Sequence, residues 1–327
     1  MNESLDSESI DRGRTAEALF YISGLLSYLT PRAKAPTPKQ VMTYLTGKYI
    51  DAWTKASREA LFGAVDQLAK QSGPLDATDI SLFLNSLSEI LGTGWETELA
   101  APIRKGMTLR YALAKKGVRK MNTRAHIQRK RKKIAGVEVN WEQIDEQAVE
   151  WLIQDNLYWV GTHYSRNMGE EIAQIATDIG LKQGLGRKEV AKELERVLGE
   201  RFSRSAVYWE GMAATALTRA SVMGTTQGFV EAKAKTYKFL AVADERTSPI
   251  CLHLNNKEFE VKVAVDTRDR LLASRSPEEA KSVIDWPGGD RLKQVLDTSD
   301  TSELAKIGVA IPPLHFHCRS LIVAKDF

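Results

Sequence analysis

For most of its length the chain places apolar residues three and four apart, the spacing of one helical face, and strict alternation takes over only after position 236. Residues 15–30 put Ala18, Leu19, Ile22, Leu25, Leu26 and Leu29 on one side and predict a first helix. Pro31, Pro36 and Pro38 mark a connector. Thr37 as N-cap, Pro38 in the first helical position and Gln40 three beyond the cap predict the next helix start, and the apolar rhythm then runs from Val41 through Leu68. Ser72, Gly73 and Pro74 should stop it. Residues 78–91 predict a further helix ending in a turn from Gly92 to Gly94, with another beginning near Trp95.

Asn140 is a candidate N-cap with Gln143 in the reciprocal position. Behind it Trp141, Ile144, Ala148, Trp151, Leu152, Leu157, Trp159 and Val160 form an aromatic-rich face whose ordinary meaning is core. A break from Leu181 to Gly186 precedes a short amphipathic helix over 188–198, closed by Gly199. A long alanine-rich helix over about 205–235 follows, and its small residues allow neighbouring backbones to approach closely. Residues 237–242 then predict a strand and 257–263 an alternating second strand, joined through Asn255 and Asn256, which tolerate left-handed backbone. An excursion over 265–311 holds a short helix capped at Ser276 and another capped at Asp300 and ended by Gly308, with a turn over 285–290 between them. Residues 321–323 form a last strand. The fold class is α+β. A helical region over 1–103, a basic arm or helix over 104–139 and a helical region over 140–236 precede a small antiparallel β-containing domain over 237–327.

Composition narrows the class without changing that layout. Apolar content of 43% and charged content of 27% are those of a soluble globular chain, and no apolar run approaches the roughly 20 residues that span a bilayer. The acidic start, with Glu3, Asp6 and Glu8, lacks the basic region of a signal peptide, so the chain is expected to mature inside a cell. Its two cysteines are then expected to be thiols or metal ligands rather than a disulfide.

Charge changes the picture more. The net charge is +4, yet thirteen basic and no acidic residues fall between positions 104 and 133, leaving the remainder net acidic. They are Arg104, Lys105, Arg110, Lys115, Lys116, Arg119, Lys120, Arg124, Arg129, Lys130, Arg131, Lys132 and Lys133. The sparse apolar positions among them predict a helix or exposed arm rather than a core element. Two readings stand: a solvated face serving solubility, or an arm contacting the phosphates of double-stranded DNA. The second would be independent of sequence and weaken steeply with salt, by a log-log slope of about −0.9 per contact.

The scarce ligand types are concentrated too. Cys251 and His253 lie just after the first strand, and His315, His317 and Cys318 lie near the end, so two short segments hold both cysteines and three of the five histidines. In an extended segment Cys251 and His253 would share a face, as would His315 and His317. If the second segment turns, His315 and Cys318 converge instead. These residues suit one structural zinc, with ligands at about 2.0 to 2.3 Å, or a packed cluster without metal. A nucleophilic thiol with an imidazole base is a third option, for which no orienting or oxyanion group is identifiable.

Three stretches carry a family resemblance. Thr218-Arg219-Ala220, then Asp244-Glu245-Arg246-Thr247-Ser248-Pro249-Ile250-Cys251, then Pro312-Pro313-Leu314-His315-Phe316-His317-Cys318-Arg319-Ser320 resemble the C-terminal domain of phage Mu F-like minor head proteins, also described as phage head morphogenesis proteins. The resemblance covers about residues 140–325. Ser248 and Ser320 stand where the family pattern has cysteines, and Asn256 stands where it has a hairpin glycine, so His253 and His317 become candidate substitute ligands. The resemblance implies a virion component inside the head, near the portal protein, acting in head assembly and in DNA packaging or delivery. Its expected partners are the portal, other head components and double-stranded DNA, with no membrane. No catalytic activity follows from it. An effector enzyme delivered with the genome is the alternative, against which stands the lack of a dense carboxylate cluster, a phosphate-cradling glycine loop or a catalytic triad.

Overall fold

A computed structural model describes residues 36–70, 76–121, 131–183, 186–242 and 244–326. The expected helix over 15–30 and the stop at 72–74 lie outside the described residues. Helix α1, Pro38–Ile50, starts as predicted: Gln40 donates its backbone N–H to the Thr37 hydroxyl at 3.3 Å, and Thr37 donates its own to the Gln40 side chain at 2.7 Å. A wider π-helical stretch, Asp51–Ser57, continues it into α2, Arg58–Lys70. Val41, Leu45, Tyr49, Leu61, Val65 and Leu68 are all buried, so the long apolar rhythm is one continuous buried face.

Helix α3, Ala77–Met121, runs straight through the glycines at 92 and 94, where a turn was predicted. Leu91, Trp95, Leu99, Ile103 and Met107 are buried at four-residue spacing. Keeping them in phase outweighs a cost of about 1 kcal/mol per glycine and about 3 kcal/mol for Pro102. Position 104 therefore falls in mid-helix, and the basic stretch begins inside a core element rather than in an arm.

A hairpin follows that the sequence pattern did not predict. Strand β1, Arg131–Ile134, pairs with β2, Val137–Asn140, across Ala135 and Gly136, whose φ angles of 46° and 81° are those of a tight two-residue connection. Val137 and Val139 bury one side of it. Helix α4, Gln143–Leu157, is capped by Glu142 with Asp145 rather than by Asn140 with Gln143. The Asn140 amide is committed elsewhere, donating to Glu142 and Glu231 at 2.9 and 2.8 Å. A π-helical stretch, Tyr158–His163, leads to α5, Tyr164–Ile175, and another, Ala176–Lys182, to the break ahead of α6.

Helix α6, Arg187–Ala232, is a single rod of 46 residues that Gly199 does not interrupt, because Leu198, Phe202 and Trp209 bury along the same core. It lies against α3 with the close backbone approach that its small residues allow. A Cβ at Gly224 would stand 2.3 Å from the Tyr111 carbonyl oxygen, and one at Gly228 3.1 Å from that of Lys115.

Strand β3, Thr236–Leu240, is the centre of an antiparallel sheet, flanked by β4, Glu258–Glu260, and by the last strand β5, Leu321–Asp326. Between β3 and β4 lies α7, Pro249–Leu254, so Cys251 and His253 sit on a helix and not in an extended segment. The expected second strand stops at Glu260, and α8, Val261–Ala273, begins at once. Val261, Ala264, Arg268 and Leu271 are buried at helical spacing, and that period wins over the alternation read from 257 to 263. Helices α9, Pro277–Val283, and α11, Thr301–Ile307, start at the predicted caps Ser276 and Asp300, and Gly308 at φ 89° closes the latter. Helix α10, Gly289–Asp297, lies between them. A second core forms around Tyr237, Phe239, Leu254, Phe259, Leu304 and Ile322, with Phe229 reaching in from α6. The α+β class expected from the sequence is the observed one. Among the described residues no helix is long and apolar enough to cross a membrane.

Candidate functional site

Helix α7 and the last turn before β5 bring the ligand types together. Ser248 caps α7 and accepts the Cys251 backbone N–H at 3.4 Å. The segment from His315 to Cys318 turns, with Cys318 donating its N–H to the His315 carbonyl at 3.3 Å and His317 at φ 62°. Helix α6 fixes that turn: Thr218 donates its hydroxyl to the Cys318 carbonyl at 2.8 Å, and the Thr215 hydroxyl accepts the His317 N–H at 3.2 Å. Gly211 leaves room for it, since a Cβ there would stand 2.4 Å from both Phe316 and His317. On the outer side Arg319 grips Asp244 with two bonds of 2.8 and 2.6 Å. That grip holds the Asp244 carboxyl well below the usual carboxylate range.

The result is a three-residue cluster. Cys251 Sγ lies 3.2 Å from His315 Nε2 and 3.8 Å from Cys318 Sγ, and the three ligand atoms are within 4.8 Å of one another. His315 donates Nδ1–H to the Phe316 carbonyl at 2.7 Å, which leaves Nε2 turned to the sulfurs. The neighbouring Cys318, and then burial, push the Cys251 thiol up to about 12. The Cys251 thiol, opposed by burial and aided by backbone hydrogen bonds at Leu314 and Ser320, brings Cys318 down to about 6. The His315 pKa is raised, first by Cys251.

These residues offer three of the four ligands that a structural zinc ion takes. Two thiolates about 2.3 Å from a tetrahedral ion stand about 3.8 Å apart, and the observed sulfur separation matches that edge. The bonded Nδ1 also fixes the tautomer that a metal-ligating histidine needs.

Two of the five candidate ligands are not part of the cluster. On a helix, residues two apart diverge by about 200°, so His253 points away from Cys251 and donates Nε2–H to the Thr298 carbonyl at 2.8 Å. His317 lines the small opening beside the cluster and meets Phe316 edge-on, but its ring nitrogens do not converge with the other three ligand atoms.

The basic stretch is divided rather than assembled. Lys115 is 0% exposed and binds Asp145 at 2.6 Å and Glu231 at 2.7 Å, which removes it from any phosphate-contacting set. Tyr111 donates its hydroxyl to the same Asp145 at 2.8 Å, so α3, α4 and α6 are tied at one buried point. No sequence motif signals this network, whose acids lie 30 and more positions away. Arg104 pairs with Glu150, Lys105 lies over the Tyr44 ring, and Arg110 and Lys116 are half-buried. Arg119 and Lys120 fall in the last turn of α3 and Arg131 in β1. Lys132 and Lys133 are exposed on β1, Lys132 3.9 Å from Glu146. Arg124, Arg129 and Lys130 lie outside the described residues.

Helix α6, the Asp244 turn, α7 and the His315–Cys318 turn thus meet, in that chain order, around one cluster. Residues 171–323 match the family model described as Phage Mu protein F like protein. This Mu F-like region begins within α5, ends within β5 and takes in the whole Cys/His cluster, covering just under half of the chain. It bears out the resemblance read from the three sequence stretches. No curated protein matches the chain, and no solved structure does. All thirteen basic positions and Asp145 lie ahead of the Mu F-like region, while Glu231, the second acid of the buried Lys115 network, lies within it.

Proposed function

We propose that the chain is a non-enzymatic minor head protein of a tailed phage or prophage, placed inside the head near the portal and acting in DNA packaging or delivery. The match over residues 171–323 carries this reading, because it coincides with the part of the chain that the Cys/His cluster closes. Blotting of purified particles and procapsids tests it. The protein is expected in one or both, and absence from both overturns the proposal.

Two features of the reading have their own tests. Cys251, His315 and Cys318 would hold one zinc, which when bound would crosslink α7 to the turn before β5 and serve stability rather than chemistry. Elemental analysis of chelator-free protein should give close to one equivalent. Less than about half an equivalent, given how tightly structural zinc binds, would mean a metal-free cluster.

DNA contact would fall to the exposed Lys132 and Lys133 and to their basic neighbours in sequence, without Lys115. Mobility shifts across salt should show binding to any duplex, with about one unit of log-log slope lost for each phosphate-contacting lysine replaced. Salt-insensitive binding, or none, removes the electrostatic part.

A further inference from the structure

A cavity of about 400 Å³ lies between the end of α4, the middle of α6 and the α9–α10 connection, apart from the opening beside the Cys/His cluster. Trp159, Tyr208, Trp286 and Phe316 stand in its walls. Its two strong cations are incompletely used. The Lys281 ammonium lies 4.3 Å over the Trp159 ring and, among the described residues, has no carboxylate within ion-pair distance. Arg219 gives one guanidinium nitrogen to Asp155, but its Nε is buried and has no hydrogen-bond partner among the described residues.

Both acids at the cavity are already engaged. Asp155 accepts from Arg219 and from the Trp159 indole N–H at 3.1 Å, and Asp285 is paired with Arg291. With Asp155 paired to Arg219 and Asp285 to Arg291, the uncompensated charge at the cavity is that of Lys281, supplemented by the spare Arg219 Nε–H, and this favours an anion. The walls suit a flat ring, which stacks on aromatic side chains and gains from a neighbouring cation. The volume falls within the range of small-molecule sites, about 300–1,000 Å³.

We propose that this cavity binds a planar aromatic anion of nucleotide size, its ring between the aromatic walls and its charge toward Lys281 and Arg219. A free mononucleotide and a nucleotide exposed in single-stranded DNA offer the same chemistry. The proposal goes beyond the head-protein reading and does not depend on it.

The test uses the full chain and two fluorescent probes, 2-aminopurine deoxyriboside 5′-monophosphate and a short single strand containing one internal 2-aminopurine. Saturable quenching of either probe is expected, and the probe that binds more tightly identifies the source. Lys281→Gln should weaken binding about tenfold, the scale of one charge-assisted hydrogen bond. The uncharged 2-aminopurine deoxyriboside should bind the native chain about tenfold more weakly than its monophosphate, for the same reason. Ala216→Phe, which fills the cavity from α6, should abolish binding while the far-UV circular dichroism stays unchanged. If that variant fails to fold, Lys281→Gln and the uncharged probe still decide. No saturable quenching by either probe at millimolar concentration overturns the proposal, and so does quenching that both Lys281→Gln and loss of the phosphate leave unchanged.

Discussion

The Cys/His cluster and the basic stretch were the two concentrations of unusual residues in the chain, and the tertiary structure treated them in opposite ways. The cluster drew together Cys251, His315 and Cys318 from positions more than 60 residues apart. The basic stretch was contiguous, yet the fold divided its described members between a helix packed into the core and a hairpin. Closeness in sequence was the poorer guide. A charge run responds to its surroundings one side chain at a time, so Lys115 follows the buried face of α3 while Lys132 follows the open face of β1.

The sharpest way to break this comparison is at Lys115. Lys115→Met leaves Asp145 and Glu231 without their cation in the core and should cost about 3–5 kcal/mol, read as a lowered urea midpoint. A change below about 1 kcal/mol would mean that the site admits water, and the basic stretch would then be one surface after all. Next in size is Gly224→Ala, which places a methyl group 2.3 Å from the Tyr111 carbonyl and should cost about 1–3 kcal/mol by pushing α6 from α3. Thermal unfolding followed by circular dichroism measures it.

Ser276→Ala should remove about 1 kcal/mol by unbinding the Glu279 N–H at the start of α9. Lys132→Ala is expected to leave stability within about 0.5 kcal/mol while lowering the salt slope of DNA binding, the reverse of the Lys115 result.

The smallest effect belongs to Asp244. Its folded-state pKa is depressed, chiefly by Arg319, so its stabilisation is present above the ordinary aspartate pKa and is lost as pH falls below it. Asp244→Asn should flatten that acid limb of the stability curve and lower stability at neutral pH by the same small amount, small because the pair is a third exposed and salt screens it.

Where the sequence was legible, the signal was local. The Thr37 capping box, the Ser276 and Asp300 caps and the Gly308 stop are each decided within about four residues, and each is observed. Legibility failed where a distant partner had the casting vote. Gly92, Gly94 and Gly199 are helix breakers by propensity, but the core packed around α3 and α6 keeps both helices unbroken. His253 and His317 were plausible ligands by type, and the helical phase of α7 and the turn at 315–318 set them apart from the cluster.

By itself the sequence determined the α+β class, the caps, and the scarcity of sulfur and imidazole that marks Cys251, His315 and Cys318. These follow from covalent structure, short-range hydrogen bonding and residue type. The tertiary structure alone decided which ligands converge and which cations are buried, because convergence and burial depend on how α6 packs against α3 and the C-terminal sheet, and no local pattern encodes that packing.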